Sequence, residues 1–430
     1  MAAHLSNIKV AVIGGGLAGL TSASELSSHG INVTVFEAAP QIGGRARRVY
    51  WKGLALDNGQ HILLGAYHQT LKLMKKIGLN EKASLLRQPL NLNILNALHL
   101  QSCKFLPAPF NLLIALLLCK GLSFSERYAA MRFFVALKRM NFKIEKDIPL
   151  NQLLKDFNQS ESLIKYLWEP LCLAALNTPI SSASAQIYLN ILRDSFNQKK
   201  NDSDLLLPKI DLSGLLAEPL ANFVQSHHGE IKLNSEVKGI EKSNDTFLVN
   251  GLNFSHIILA VSPSRVAQII APLGKIAAIE QVNKFSYEPI YTIYLQYPSD
   301  VKLPQVMTGL MQTMSQWVFD RGQLNGQKGL IAVIISAKGK HQKLSQEALA
   351  HQVINELHYA FPELPTPEWH KVIAEKRATF SCVAHLERPQ QKTNIQNFYL
   401  AGDYTEGDYP ATIEGAIQSG LSAAQLILQS

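Results

Sequence analysis

The feature that most constrains the fold is a set of glycines that directly follows the first apolar segment of the chain. Lys9 to Ile13 is apolar and rich in β-branched residues, which is typical of a buried parallel strand. Gly14, Gly16 and Gly19 follow in a G-x-G-x-x-G pattern and predict a tight turn into a helix from Leu17 to Ser28. In such a turn the second glycine lets the backbone approach a pyrophosphate, and the helix N-terminus faces the phosphates. The pattern therefore predicts the first βαβ unit of a dinucleotide site.

A second strand and an acidic residue complete this unit. Ile31 to Phe36 predicts the strand, and Glu37 stands at its tip, followed by Ala38. Glu37 lies 18 positions after Gly19, and the carboxylate that accepts both hydrogen bonds of a ribose diol is expected at about 20. The extension Gly43-Gly44-Arg45 then points to a flavin rather than a nicotinamide dinucleotide. The alternative is a Rossmann-like turn that holds no ligand.

The C-terminal stretch carries a second signal. Asn397 to Ala401 predicts a parallel strand that ends in Gly402-Asp403, and Thr412 to Leu428 predicts the last helix. Asp403 can hydrogen-bond a polyol. The helix N-terminus, near Thr412 and Ile413, can face the pyrimidine end of a flavin and stabilise negative charge there. A plain amphipathic C-terminal helix is the alternative.

A chain of 430 residues is too long for one simple core. We predict an α/β protein in which a Rossmann-like FAD-binding domain is interleaved with an α+β substrate domain that carries a helical insert. The predicted boundaries are 1–90, 213–270 and 386–430 for the FAD-binding domain, and 91–212 and 271–385 for the substrate domain.

Composition narrows the range of partners. Charged residues make up 17 % of the chain, below the typical ~25 %, which suggests additional apolar surface or a large apolar cavity. The net charge is +8, but no Lys/Arg run is long enough to follow a nucleic-acid backbone, so we expect no nucleic-acid partner. Either a basic face near anionic lipid or an ordinary basic protein accounts for the charge. Four scattered cysteines indicate a reducing compartment and no zinc site, and the early first strand leaves no room for a signal peptide, so we expect a cytoplasmic protein.

The most apolar segment runs from residue 105 to residue 119. Pro107, Pro109 and Asn111 interrupt it, so it falls short of the ~18 uninterrupted apolar residues of a membrane span. It is either a buried core helix, or a monotopic helix that dips into the inner face of the cytoplasmic membrane or forms the lip of a lipid channel. Lys104 and Lys120 flank it and can sit at headgroup level.

Together these motifs resemble the FAD-dependent amine oxidase and phytoene desaturase superfamily, over nearly the whole chain. The resemblance implies a fold of the glutathione-reductase/amine-oxidase type with FAD bound. It implies that Arg45 and the Gly43-Gly44 backbone lie on the pyrophosphate, and that Val237 meets the adenine; a core strand valine is the alternative for Val237. It also implies that the segment Gly59, Gln60, His61 and Ile62 runs beside the isoalloxazine, and the remaining expected cofactor contacts are Leu17, Ala18, Ala38 and Gly402.

Three segments narrow the resemblance: 56–65, 167–177 and 410–416 resemble the squalene-associated desaturase-like flavoproteins, represented by hydroxysqualene dehydroxylase. The resemblance implies reductive removal of a hydroxyl from hydroxysqualene, giving squalene, in squalene or hopanoid biosynthesis. It implies hydride from reduced FAD, with NADPH or another donor upstream, a long isoprenoid substrate and other squalene-pathway enzymes as partners. The alternatives are an oxidative polyene desaturase, an amine oxidase, and a lipid-binding protein with a vestigial flavin site.

The expected chemistry needs a proton donor and a pocket that shields a carbocation. His61, Glu169 and Asp408 are candidate acids. A purely structural role is the alternative to catalysis, so the catalytic acid stays unassigned. Tyr404 and Tyr409 are candidates for stabilising the cation with their aromatic faces, or for plain wall residues.

Overall fold

A parallel five-stranded sheet forms the base of the molecule. The structure is a computed structural model that describes residues 8–196, 199–243, 245–274 and 276–430. All neighbouring strands of this sheet are parallel, and their spatial order is Glu230–Lys232, Asn32–Phe36, Lys9–Ile13, His256–Leu259 and Phe398–Leu400. The first strand of the chain is central and almost wholly buried, as its run of apolar residues predicts. The sheet confirms the predicted Rossmann-like α/β fold class.

Two helices pack together on this sheet. Leu17–Ser28 has the predicted bounds, and Ile413–Leu428 begins one residue after the predicted start, with Thr412 as its N-cap. Ser22 Oγ donates to the Gly420 carbonyl at 2.9 Å, and a Cβ on Gly420 would collide with the Ala18 carbonyl oxygen. The small residues of the last helix therefore allow its backbone to touch the helix that follows the glycine turn.

A larger, mostly antiparallel sheet forms the second sheet of the molecule, and residues of both sheets line one cavity. Its seven strands run in the spatial order Trp369–Phe380, Tyr287–Gln296, Leu330–Ser336, Trp317–Asp320, Met307–Gly309, Asn91–Ile94 and Leu98–Gln101. The pair between Gly309 and Ile94 is parallel. The helix Gln346–Ala360 covers one face through Leu349, Val353 and Leu357. The sheet takes its strands from 91–101 and 287–380, whereas the parallel sheet uses 9–36, 230–259 and 398–400.

A group of helices is inserted in the sequence between two strands of the large sheet, Leu98–Gln101 and Tyr287–Gln296. Its principal helices are Phe110–Leu117, Phe124–Arg139, Leu150–Asp156, Ile164–Trp168 (a π-helix), Glu169–Leu176 and Ala185–Phe196. The first of them lies at the surface: Leu116 is buried, but Phe110 and Leu118 are exposed. A fully buried core helix at 105–119 is therefore wrong. Within the part of the chain that the structure describes, no helix is long and apolar enough to cross a membrane.

Short elements connect these layers. The further helical segments are His68–Lys76, Glu81–Ser84, Glu161–Leu163, Lys200–Ser203, Ser213–Ala217, Glu218–Ser226, Pro263–Ile270, Ala271–Leu273, Ala277–Asn283, Arg321–Asn325 and Lys340–Lys343. The further strands are Arg48–Trp51, Leu54–Asp57, Leu63–Leu64, Leu85–Gln88, Leu205–Pro208, Glu241–Ser243, Thr246–Val249 and Leu252–Phe254.

Candidate dinucleotide-binding site

One cavity of about 500 Å³ lies at the carboxyl ends of the parallel strands and extends toward the large sheet. Ligands of open α/β sheets bind at this edge. All of the cofactor contacts predicted from the sequence line this cavity except Gly19: Gly14, Gly16, Leu17, Ala18, Glu37, Ala38, Gly43, Gly44, Arg45, Gly59, Gln60, His61, Ile62, Val237, Gly402, Asp403, Thr412 and Ile413. Segments far apart in sequence therefore converge on one space, and the role of each in cofactor binding stays a prediction.

The glycine turn has an open side and a packed side. At Gly14, φ is +112°, and a Cβ would collide with the Ala260 carbonyl. A Cβ on Gly16 would meet no protein atom within 4 Å, because it would point into the cavity. Gly19 is absent from the wall because it packs beneath the turn, where a Cβ would overlap the Gly14 carbonyl oxygen. The open side at Gly16 is a space that a pyrophosphate would occupy.

The Glu37 carboxylate stands at the end of the second strand. Its Oε2 accepts from the Gly15 N–H at 2.7 Å, and its Oε1 accepts from the Ala39 N–H at 2.8 Å. These two bonds fix the carboxylate at the cavity wall, and a carboxylate has about four acceptor positions in all. Capacity therefore remains for the two hydroxyls of a ribose.

Arg45 links three parts of the site. Its Nη2 forms an ion pair with Asp403 Oδ1 at 2.6 Å, and its Nη1 donates to the Ala378 carbonyl at 2.9 Å. Burial opposes the charge of Arg45, but the ion pair with Asp403 raises its pKa above the ordinary value. A permanent cation therefore faces the cavity beside Gly44, where an anionic pyrophosphate fits.

The last helix begins at the cavity wall. Thr412 Oγ1 accepts from the Gly415 N–H at 3.0 Å, which caps the helix, and Thr412, Ile413 and Ala416 line the cavity. The positive end of this helix dipole therefore points at the space where the sequence predicts the pyrimidine end of a flavin.

A buried ion pair supports the segment from Gly59 to Ile62. Arg321 Nη1 donates to Asp57 Oδ2 at 3.0 Å and to Gln60 Oε1 at 2.8 Å, and Asp57 Oδ1 accepts from the Leu212 N–H at 2.8 Å. Both charged side chains are almost fully buried. Sequence reasoning missed Arg321, because its two partners lie more than 260 positions away and no local pattern marks the contact.

Of the three candidate acids, His61 alone lines the cavity. Burial lowers the pKa of His61, and its Nδ1 lies 2.9 Å from the Gly59 carbonyl oxygen. A carbonyl only accepts, so the proton of the neutral ring sits on Nδ1 and Nε2 carries a lone pair. Asp408 instead forms an exposed ion pair with Arg193, and Glu169 lies outside the cavity wall.

The two expected aromatic residues do not face the cavity. Tyr404 is fully buried behind Gly402, and burial raises its pKa far above the ordinary value. Tyr409 donates its hydroxyl hydrogen to Asp194 Oδ2 at 2.8 Å and packs edge-on against Tyr67. Both are therefore structural residues of the flanking loop, and it is Tyr67 that lines the cavity.

Val237 is a buried core residue, as its alternative interpretation expects, but it lies in an irregular segment and not in a strand. It is nearly buried and lines the cavity with Ser235 and Glu236. Glu236 pairs with Arg265 at 2.5 Å, and both residues line this part of the cavity. Sequence reasoning also missed further wall residues of this site, whose types carry no recognisable motif: Arg265, Glu375, Ala378 and Thr379.

A second, smaller cavity of about 60 Å³ is lined only by apolar side chains. One helical stretch contributes to both cavities: Trp168 and Leu171 line the apolar cavity, and Ala174 and Ala175 line the larger one. Residues three apart on a helix are separated by about 4.5 Å along its axis. The other wall residues of the apolar cavity are Leu90, Leu92, Leu100, Leu112, Leu113, Leu116, Ala130, Phe133, Phe134, Leu137, Leu167, Leu192 and Phe196.

The parallel sheet, the glycine turn and the acid at the second strand define the Rossmann-like class of dinucleotide-binding proteins. Comparison with protein families is more specific. The chain belongs to the flavin containing amine oxidoreductases, whose family model matches residues 17–428. This membership supports a flavin cofactor, and the open glycine turn, Glu37 and Arg45 fit the FAD that the sequence predicts.

Individual relatives extend this assignment. The chain is 27 % identical to a hydroxysqualene dehydroxylase of Zymomonas mobilis subsp. mobilis, over 97 % of this chain and 98 % of the relative. It is 25 % identical to a 15-cis-phytoene desaturase of an Oncidium hybrid cultivar, over 98 % of this chain and 78 % of the relative. Among solved structures, an oxidoreductase from Methanosarcina mazei superposes with a TM-score of 0.75 at 19 % identity, over 98 % of this chain and 100 % of that one. The structural likeness confirms the fold.

Proposed function

We propose that the protein is an FAD-dependent hydroxysqualene dehydroxylase, which removes a hydroxyl group reductively to give squalene. The full-length similarity to a protein of that name supports the proposal. The observation that carries it is that one helical stretch contributes to the walls of two cavities, the larger with both polar and apolar walls and the other, of about 60 Å³, wholly apolar. A long hydrocarbon with one polar carbon needs both environments within a few ångströms of each other.

The reaction balances with one hydride and one proton. The carbon–oxygen bond breaks, the oxygen leaves as water after taking up a proton, and the carbon receives the hydride. When bound, reduced FAD supplies the hydride, with NADPH or another donor upstream. In its neutral form His61 holds its one ring proton toward the Gly59 carbonyl, so Nε2 accepts and does not donate a proton. The proton therefore comes from another group, and His61 orients the segment beside the ring system.

A specific observation also favours a second candidate, oxidative desaturation of a polyene. The phytoene desaturase covers 98 % of this chain at an identity close to that of the dehydroxylase. The two reactions differ in the direction of electron flow, because dehydroxylation oxidises the reduced flavin and desaturation reduces the oxidised flavin.

Anaerobic mixing separates the two candidates. Reduced enzyme mixed with hydroxysqualene should recover the absorbance of oxidised flavin and yield squalene, detected by mass spectrometry. Oxidised enzyme with the same substrate is the control and should yield none. If the flavin stays reduced, the dehydroxylase proposal fails. If phytoene reduces the oxidised enzyme, seen as a loss of flavin absorbance, desaturation replaces dehydroxylation as the proposed reaction. Release of hydrogen peroxide from simple amines in air would instead indicate an amine oxidase.

A further inference from the structure

Two neighbouring surface helices expose several large apolar side chains to solvent. On and beside Phe110–Leu117 and Phe124–Arg139, large apolar side chains are exposed, with Phe105 at 93 %, Leu118 at 70 % and Phe124 at 71 %. Single exposed apolar residues are normal on a protein surface, but a contiguous group marks an interaction site. We call this group the apolar face, and it consists of Phe105, Phe110, Leu117, Leu118, Phe124, Tyr128 and Val135.

The same region concentrates the positive charge of the molecule. Residues 104–146 contain eight Lys or Arg and two acidic residues, a net charge of +6 in a chain whose total is +8. Glu126 is engaged in capping its own helix at Ser123. Within the described ranges, no acidic side chain lies within 4.0 Å of the exposed cations around the face: Lys104, Lys120, Arg132, Lys138, Arg139, Lys143 and Lys146.

The inner sides of these two helices line the wholly apolar cavity. Leu112, Leu113 and Leu116 contribute from the first helix, and Phe133, Phe134 and Leu137 contribute from the second. One pair of helices therefore separates an apolar exterior surface from an apolar interior space. Leu171 in the wall of that space and Ala175 in the wall of the larger cavity belong to the same helix, Glu169–Leu176.

We propose that the apolar face docks on the surface of an anionic lipid bilayer and that the cavity beneath it receives an apolar chain from the bilayer between the two helices. Aromatic side chains insert at the boundary between headgroups and acyl chains, and the surrounding cations contact anionic headgroups. The charge argues for a bilayer rather than a protein partner, because unpaired cations surround an apolar centre that carries almost no negative charge. The docking stands by itself, and the uptake of the chain rests on the proposed function.

Cosedimentation of the full-length holoenzyme with vesicles tests the docking. We expect the protein to bind vesicles of phosphatidylglycerol and phosphatidylcholine in equal parts more tightly than pure phosphatidylcholine. The triple variant Phe105→Ser, Leu118→Ser, Phe124→Ser should bind at least ~10-fold more weakly, since it removes the inserting side chains. Tyr359→Ser is the matched control, because Tyr359 is 89 % exposed on a helix outside this face, and its binding should be unchanged.

A second variant tests the role of charge. Lys138→Gln, Arg139→Gln and Lys143→Gln together should weaken binding to the anionic vesicles and reduce its dependence on salt. Unchanged binding in either set of variants would overturn the proposal. So would a wild-type protein that ignores vesicles but self-associates with rising concentration, because the face would then join two copies of this chain. All substituted side chains are exposed, and an unchanged flavin spectrum and circular dichroism would verify folding.

Turnover separates the uptake of substrate from the proposed function. The triple serine variant should reduce hydroxysqualene dispersed in detergent at the wild-type rate, and hydroxysqualene embedded in vesicles at least ~10-fold more slowly. Equal rates on the two forms would overturn uptake from the bilayer. A wild-type enzyme inactive on both would contradict the proposed function, while vesicle binding would still report on the docking.

Discussion

Gly16 and Gly19 belong to one turn, but the lack of a side chain keeps the cavity open at Gly16 and permits close packing at Gly19. A Cβ on Gly16 would project into the cavity without touching protein, whereas a Cβ on Gly19 would overlap the Gly14 carbonyl. Gly16 also has φ at −75°, which alanine adopts freely. We expect Gly16→Ala to fold normally and to bind FAD at least ~10-fold more weakly, a loss of about 1.4 kcal/mol in binding free energy. Titration of the apoprotein with FAD, followed by flavin fluorescence, measures this.

Gly19→Ala is the matched comparison for that experiment. It should lower the free energy of unfolding of the apoprotein by about 1–3 kcal/mol, because the helix must move away from the strand to admit the methyl group. Urea unfolding of both apoproteins separates the two effects. An apoprotein of Gly16→Ala as unstable as that of Gly19→Ala would show that Gly16 serves packing and not the ligand.

At the scale of elements, the Asp57–Arg321 pair ties a small hairpin to the large sheet. Asp57 ends the strand Leu54–Asp57, and Arg321 begins the helix Arg321–Asn325. Removing one partner leaves a buried charge without compensation, which typically costs ~3–5 kcal/mol. We expect Arg321→Met to lower the free energy of unfolding by about that amount, measured in urea at neutral pH.

The double variant Asp57→Asn with Arg321→Met provides the control. The asparagine is uncharged and its carbonyl oxygen can still accept from the Leu212 N–H, so the double variant should regain a large part of the lost stability. If the double variant loses as much stability as Asp57→Asn and Arg321→Met lose in sum, the two side chains do not interact energetically. The flavin spectrum would report whether Gln60, which shares Arg321, has moved.

Local pattern was enough to predict elements whose burial is set by their own sequence. The helix Leu17–Ser28 and the strand Lys9–Ile13 follow from periodicity and apolar composition, and the glycine turn follows from its spacing. Arg321 and Glu375 could not be found in this way, because tertiary contact alone brings Arg321 to Gln60 and Glu375 to the cavity wall. The segment 105–119 was ambiguous for a related reason, since an apolar helix with one exposed side has the composition of a buried one.

At the scale of the whole molecule, folding and cofactor binding depend on the same long-range contacts. Ile13 pairs with Phe36 on one side and with Leu259 on the other, and Leu259 pairs with Leu400. The parallel sheet is therefore complete only when three distant stretches of the chain have assembled. The cavity wall also draws residues from the large sheet, including Ile290 and Thr379, so the described site does not exist on either sheet alone.

This arrangement predicts that FAD stabilises the molecule as one unit. A ligand at 100 times its dissociation constant, bound by the native state alone, adds about 2.7 kcal/mol of stability. For a chain of this length that corresponds to a rise in Tm of about 3 °C. Differential scanning calorimetry of apoprotein and holoprotein should show one transition that moves as a whole, because the cavity wall draws residues from both sheets. With Gly16→Ala at the same FAD concentration the shift should shrink to about 1.4 kcal/mol, or less than 2 °C. Two transitions, of which FAD moves one, would instead mean that the sheets unfold independently and that the cofactor is held by the parallel sheet alone.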